Sequence, residues 1–137
     1  MIQTGYVPEH YDGNGFDTSF VFTWRILAKS DMLVKVLTVA TGAVVTLVLN
    51  TDYTIADEWV DNEAGGEVDL TLPLATGKRI WLIRVTAKTQ LVNITEGSPF
   101  PATTVTKVFD RLTMMIQELI YLSRMALKFR AVSTFVD

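Results

Sequence analysis

The chain has 137 residues, of which 49% are hydrophobic and 20% charged, with 12 Lys and Arg against 15 Asp and Glu, one His and no Cys. A chain of that size forms one domain that buries roughly two-thirds of its unfolded surface, enough for a core without staples. The absence of thiols rules out a disulfide scaffold and a Cys-based zinc site, and a net charge of −3 lacks the basic field of a non-specific nucleic-acid binder.

The N-terminal segment MIQTGYVPEHYDGNG has no basic residue ahead of an apolar run and no small-residue cleavage site, so it does not read as a secretory signal. Residues 1–15 are read as an arm preceding the fold. Within it, Asp12-Gly13-Asn14-Gly15 opens like a calcium loop, but Phe16, Asp17 and Thr23 stand where that loop needs a ligand, a glycine and a bidentate acid. The segment reads as a turn.

From Phe16 the pattern has period two. Phe16, Thr18, Phe20, Phe22 and Trp24 share one face of a strand and Asp17, Ser19, Thr23 and Arg25 the other, which makes the aromatic face core rather than a sugar-stacking platform. MLVKVLTV (32–39) and AVVTLVLN (43–50) flank Ala40-Thr41-Gly42, where glycine supplies the positive φ of a tight turn. They predict a β-hairpin, apolar enough on both faces to be covered on both sides, either in a sandwich or against another subunit. The longest uncharged apolar stretch, Val36 to Leu49, is broken by Thr38, Thr41, Gly42 and Thr46 and falls short of the ~20 residues that span a bilayer. No membrane partner is expected.

Seven acids (Asp52, Asp57, Glu58, Asp61, Glu63, Glu67, Asp69) lie between residues 36 and 77 without a Lys or Arg. The fold should therefore carry an acidic patch beside a more basic remainder. Val68, Leu70 and Leu72 alternate with polar neighbours up to Pro73, and RIWLIRVTA (79–87) and QLVNIT (90–95) follow. Six or seven short strands with no βαβ rhythm predict a small antiparallel β-sandwich over 16–97.

Ser98-Pro99-Phe100-Pro101 then acts as a connector over 98–102, because each proline disfavours helix just before it. A helix is expected over 103–130, N-capped by Thr103 or Thr104. Its apolar seam, Val105, Val108, Leu112, Met115, Leu119, Leu122, Ala126 and Phe129, alternates steps of three and four, the spacing of a left-handed coiled coil. Phe109, Met114, Ile116, Ile120 and Met125 lie off that seam, more apolar surface than a two-stranded zipper uses.

Chemistry is sparsely represented. His10 is the lone imidazole and no phosphate loop is present. The acids of 57–69 lack any sign of the cleft that paired catalytic carboxylates need. No cofactor or metal and no enzymatic activity are expected.

DGNGFDTSFVFTWRILA, the hairpin ending LVLNTDYTI, IWLIRVTAKTQLVNITEGS and a helix containing Gln117-Glu118 together resemble the N-terminal, tail-anchoring domain of the T7-like phage tail fibre and tailspike family. The resemblance spans about residues 10–122, with Asn50-Thr51-Asp52-Tyr53, Arg84-Val85-Thr86 before Leu91-Val92, and the Gly97-Ser98 exit into a helix as its most specific parts. It implies a homotrimeric virion protein that docks a receptor-binding appendage onto a short tail, between adaptor and nozzle proteins. Trimer contacts would fall on the helix seam from Val105 to Ala126. Tyr6, Pro8, His10 and Tyr11 are candidates for docking to the tail. Phe129, Val132, Phe135 and Val136, in or beside a tail at 131–137, are candidates for receiving a separate fibre or spike protein. A tail fibre continues far beyond this domain, so the chain is expected to be either a stand-alone anchor or the N-terminal piece of something longer. The other readings are a carbohydrate-binding sandwich using Trp59 or Trp81, or another tail or neck structural protein.

Overall fold

The computed structural model describes residues 5–89 and 102–136, with side chains described as far as Lys128. The chain divides into two compact units, Pro8–Ala87 and a second formed by Met1–Val7 with Lys88–Asp137.

The first unit is two antiparallel sheets. One has the order β1 (Glu9–Asp12), β7 (Lys78–Arg84), β3 (Met32–Thr38), β4 (Val44–Thr46), and the other the order β2 (Ser19–Phe22), β6 (Gly66–Leu70), β5 (Tyr53–Thr54). Burial alternates along the strands as a pleat requires. Val34, Val36, Ile80 and Leu82 from the first sheet and Phe20, Phe22, Tyr53 and Val68 from the second are buried, joined by Trp24, Ile26, Ile55 and Leu74 from the connections. The Tyr53 hydroxyl donates to the Met32 carbonyl of the other sheet at 3.2 Å, and burial raises its pKa. Trp24 packs 5.1 Å from Phe22, centroid to centroid. The Arg84 guanidinium lies 5.9 Å from the Trp24 ring and donates to the Arg25 carbonyl at 3.1 Å. Phe20, Phe22 and Trp24 therefore form core, whereas Phe16 at the start of that run is exposed because β2 begins only at Ser19.

The 32–50 hairpin pairs Leu37 with Val44, Val36 with Val45 and Lys35 with Thr46, and Gly42 takes φ +74° in its turn. Within the single chain the sandwich does not cover both sides of this hairpin: Val44 and Val45 are exposed on β4, the last strand of its sheet. Residues 9–12, assigned to an arm by the sequence pattern, are a strand: β1 pairs with the far edge of β7, Glu9 opposite Leu82 through Asp12 opposite Arg79. The alternation of EHYD is polar on both faces, so its strand character comes from tertiary pairing. The Asn14 side chain accepts from the amides of Phe16 and Asp17, both at 2.9 Å, which makes this segment the expected turn.

In the second unit one helix, α1, runs from Ala102 to Val136. It is already formed at Ala102, so Thr103 and Thr104 sit in its first turn rather than at its cap, and it continues past residue 130 into the segment expected to be a tail. Tyr6 packs edge-on against Tyr121 of α1, with centroids 6.0 Å apart, and Arg111 donates to the Thr89 carbonyl at 3.1 Å. The expected strand at 90–95 and the connector residues before Ala102 lie outside the described residues.

Candidate functional site

The helix distributes its side chains against their polarity. Asp110 and Glu118 are buried together with Met114, whereas Phe109 (62%), Leu112 (47%), Ile116 (55%), Leu119 (63%), Ile120 (46%) and Leu122 (63%) are solvent-exposed. An isolated amphipathic helix turns its apolar stripe inward and its charges outward. Here a stripe of large aliphatic and aromatic groups faces water.

The seam residues expected from the sequence divide along this line. Leu112, Leu119, Leu122 and Ala126 are exposed, while Val105, Val108 and Met115 are half-buried. Phe109 and Ile116, placed off the seam by the spacing alone, are among its most exposed members. They complete a second heptad run, Val105, Phe109, Leu112, Ile116, Leu119, which shares three positions with the first. The side chains flanking that run, Val108, Met115, Ile120 and Leu122, carry no charge. The helix thus offers an unusually broad uncharged face.

The four N-terminal candidates lie in different environments. Tyr6 and Pro8 are buried. The Tyr11 hydroxyl donates to the Val21 carbonyl and to Glu9, and its pKa is raised first by burial and then by the Glu9 charge. His10 is exposed, and its ring stacks on Trp81 at 4.5 Å. Among the four, His10 is the one whose side chain faces solvent. Phe129, Val132, Phe135 and Val136 have side chains outside the described residues.

Ionic contacts on the sheets are local. Arg79 donates to Asp12 at 2.7 Å, and this hydrogen bond lowers the Asp12 pKa. Lys29 pairs with Asp57 at 2.6 Å and lowers its pKa in the same way. Among the described residues no group of three His, Asp or Glu could hold a metal ion, and no described helix is long and apolar enough to cross a membrane.

No protein-family model matches the chain. Over 117 residues it is 36% identical to the tail spike protein of Salmonella phage epsilon15, a stretch that covers 85% of this chain and 11% of that protein. Over that stretch the chain is similar to one part of a phage tailspike. It spans about a tenth of the length of that relative.

Proposed function

We propose that the chain is a structural protein of a phage tail, in which three copies associate through α1 and anchor a receptor-binding appendage to the virion. The observation that carries this reading is the inverted helix, with Asp110 and Glu118 buried and Leu112, Ile116 and Leu119 exposed. Apolar groups of that size are stable against water when a second apolar face covers them. A heptad seam is covered by copies of itself, and a face widened by uncharged flanking positions suits three helices better than two. The likeness to a tailspike supplies the setting, because such an appendage needs a base that passes its symmetry to the parts beyond. Tail adaptor and nozzle proteins are the partners on the virion side, with His10 and its strand available to them, and the C-terminal turns of α1 face the appendage.

Sedimentation equilibrium of the purified 137-residue chain tests the reading. The expected result is a single species of three chain masses that Leu119→Asp converts to monomer. A monomer persisting at 100 µM would refute the helix-mediated association.

A further inference from the structure

The turn after β1, Asp12-Gly13-Asn14-Gly15, joins an Asp-Gly to an Asn-Gly dipeptide. In both, the backbone nitrogen of glycine, unshielded by any Cβ, can add to the side-chain carbonyl carbon of the residue before it and close a succinimide ring. The fold requires both glycines. A Cβ on Gly13 would overlap the Ala75 carbonyl oxygen, and Gly15 takes φ +84°. The fold also uses the residues that precede them, since Asp12 pairs with Arg79 and Asn14 holds the turn through the amides of Phe16 and Asp17. A reactive sequence is thus built into this turn for structural reasons.

The groups that would react are engaged elsewhere in the folded chain. The Gly13 amide donates to the Lys78 carbonyl and the Gly15 amide to the Leu74 carbonyl, both at 2.8 Å, and the Leu74 amide returns a bond to the Asp17 carbonyl at 3.2 Å. Neither glycine nitrogen can turn onto the preceding side chain while these bonds hold. At Asn14 the carboxamide nitrogen, which would leave as ammonia, donates to the Asp17 carboxylate at 2.7 Å. At Asp12 the leaving group would be water, which requires the protonated carboxyl, and the hydrogen bond from Arg79 lowers the Asp12 pKa and favours the unreactive carboxylate. Asn14 is the weaker point of the two, because its electrophile carries no charge.

We propose that Asn14 is a site of spontaneous covalent modification that the fold holds shut. When residues 13–17 separate from 74–78, the Gly15 nitrogen bonds to the Asn14 Cγ, its proton passes through water to the departing carboxamide nitrogen, and ammonia leaves. Water then adds to one of the two carbonyls of the succinimide and leaves Asp or iso-Asp at position 14. Either product obstructs the way back. A carboxylate stands against Asp17 where Asn14 now donates, so repulsion replaces a hydrogen bond. Iso-Asp also adds a methylene to the main chain ahead of Gly15, which carries that amide off the Leu74 carbonyl. A single opening is thereby recorded permanently, at the point where the β1–β7 pairing ends. Local openings cost less than global unfolding, so the reaction reads the breathing of this loop rather than denaturation. The site is independent of the association of α1.

Peptide-mapping mass spectrometry of the 137-residue chain, incubated at 37 °C and pH 8, tests the site, with the free peptide of residues 9–20 as the unguarded reference. The mass gain from amide to acid distinguishes Asn14 from Asp12. Conversion of Asn14 is expected to be roughly tenfold slower or more in the folded chain than in the peptide, and to reach the peptide's rate in denaturing urea. Equal rates in the folded chain and the peptide would overturn the guard. Gly13→Ala drives the turn off the Ala75 carbonyl and should raise the folded-state rate severalfold. Asp17→Ala decides the matter if that variant does not fold: it frees the Asn14 carboxamide, leaves the Gly15 to Leu74 bond in place, and should also accelerate conversion. Folded variants that keep the parent's rate would place the protection elsewhere and sink the assignment. Converted chains, separated by their added negative charge, should exchange the amides of residues 11–17 against deuterium faster than the parent. Identical exchange would mean that the loop closes again over the product, which refutes the permanent record.

Discussion

Phe22 and Gly65 hold the sandwich from opposite directions, one by filling it and one by staying small. Phe22 is fully buried against Trp24, so Phe22→Ala should cost about 3–5 kcal/mol from lost transfer and the cavity left behind. Gly65 has φ +85°, and a Cβ there would overlap the Phe22 carbonyl oxygen. Gly65→Ala therefore adds backbone strain to a clash that the β2–β6 pairing cannot relieve, with an expected loss of about 2 kcal/mol or more. Urea denaturation followed by Trp fluorescence measures both, and a Gly65→Ala protein as stable as the parent would show that the turn can be rebuilt. The surface pairs behave differently. Asp12 and Asp57 have pKa values lowered by Arg79 and Lys29, so their stabilisation is present above the ordinary carboxylate range near ~4 and is lost as pH falls through the lowered values. Both acids are fully exposed. The expected outcome is a slight fall in Tm below about pH 4 that is smaller in the Asp12→Asn, Asp57→Asn double variant.

At the scale of the element, α1 carries two overlapping heptads that share Val105, Leu112 and Leu119, and only side-chain exposure separates them. Phe109 and Ile116 are exposed, and Val108 and Met115 are half-buried. Ile116→Asp should therefore weaken self-association at least as much as Leu119→Asp, by more than tenfold, and Met115→Asp should weaken it less. Sedimentation equilibrium of the three variants reads the order directly, and a larger loss for Met115→Asp would return the axis to the seam expected from spacing. The ambiguity has a physical origin. A helix with apolar residues on more than half its circumference satisfies several 3-4 patterns at once, so periodicity locates the element without locating its face. The hairpin was legible for the opposite reason, since Gly42 and the β-branched runs around it admit one turn and one register. β1 left no trace in the pattern because its pairing partner, β7, lies about 70 residues away and its own side chains alternate polar with polar. The β4 edge was partly legible: Ala43 to Leu49 reads as apolar from sequence, but that it ends a sheet is a property of strand order.

For the whole molecule, the division into two units sets up a separation that heat can reveal. All three tryptophans, Trp24, Trp59 and Trp81, belong to the Pro8–Ala87 unit, whereas the long helix belongs to the other. Tryptophan fluorescence therefore follows the sandwich, and the helical circular dichroism at 222 nm follows α1. The sandwich buries its own core, so its midpoint should not depend on protein concentration. The exposed stripe on α1 is different: a helix held by association gains stability by mass action, about 1.4 kcal/mol for each tenfold rise in concentration at each association step. Raising the chain from 1 to 100 µM is expected to move the 222 nm transition upward by several degrees and leave the fluorescence transition in place. Leu119→Asp should abolish the concentration dependence without shifting the fluorescence midpoint. Two coincident transitions, both indifferent to concentration, would mean that the helix draws its stability from its own chain and that the exposed stripe has some partner other than itself.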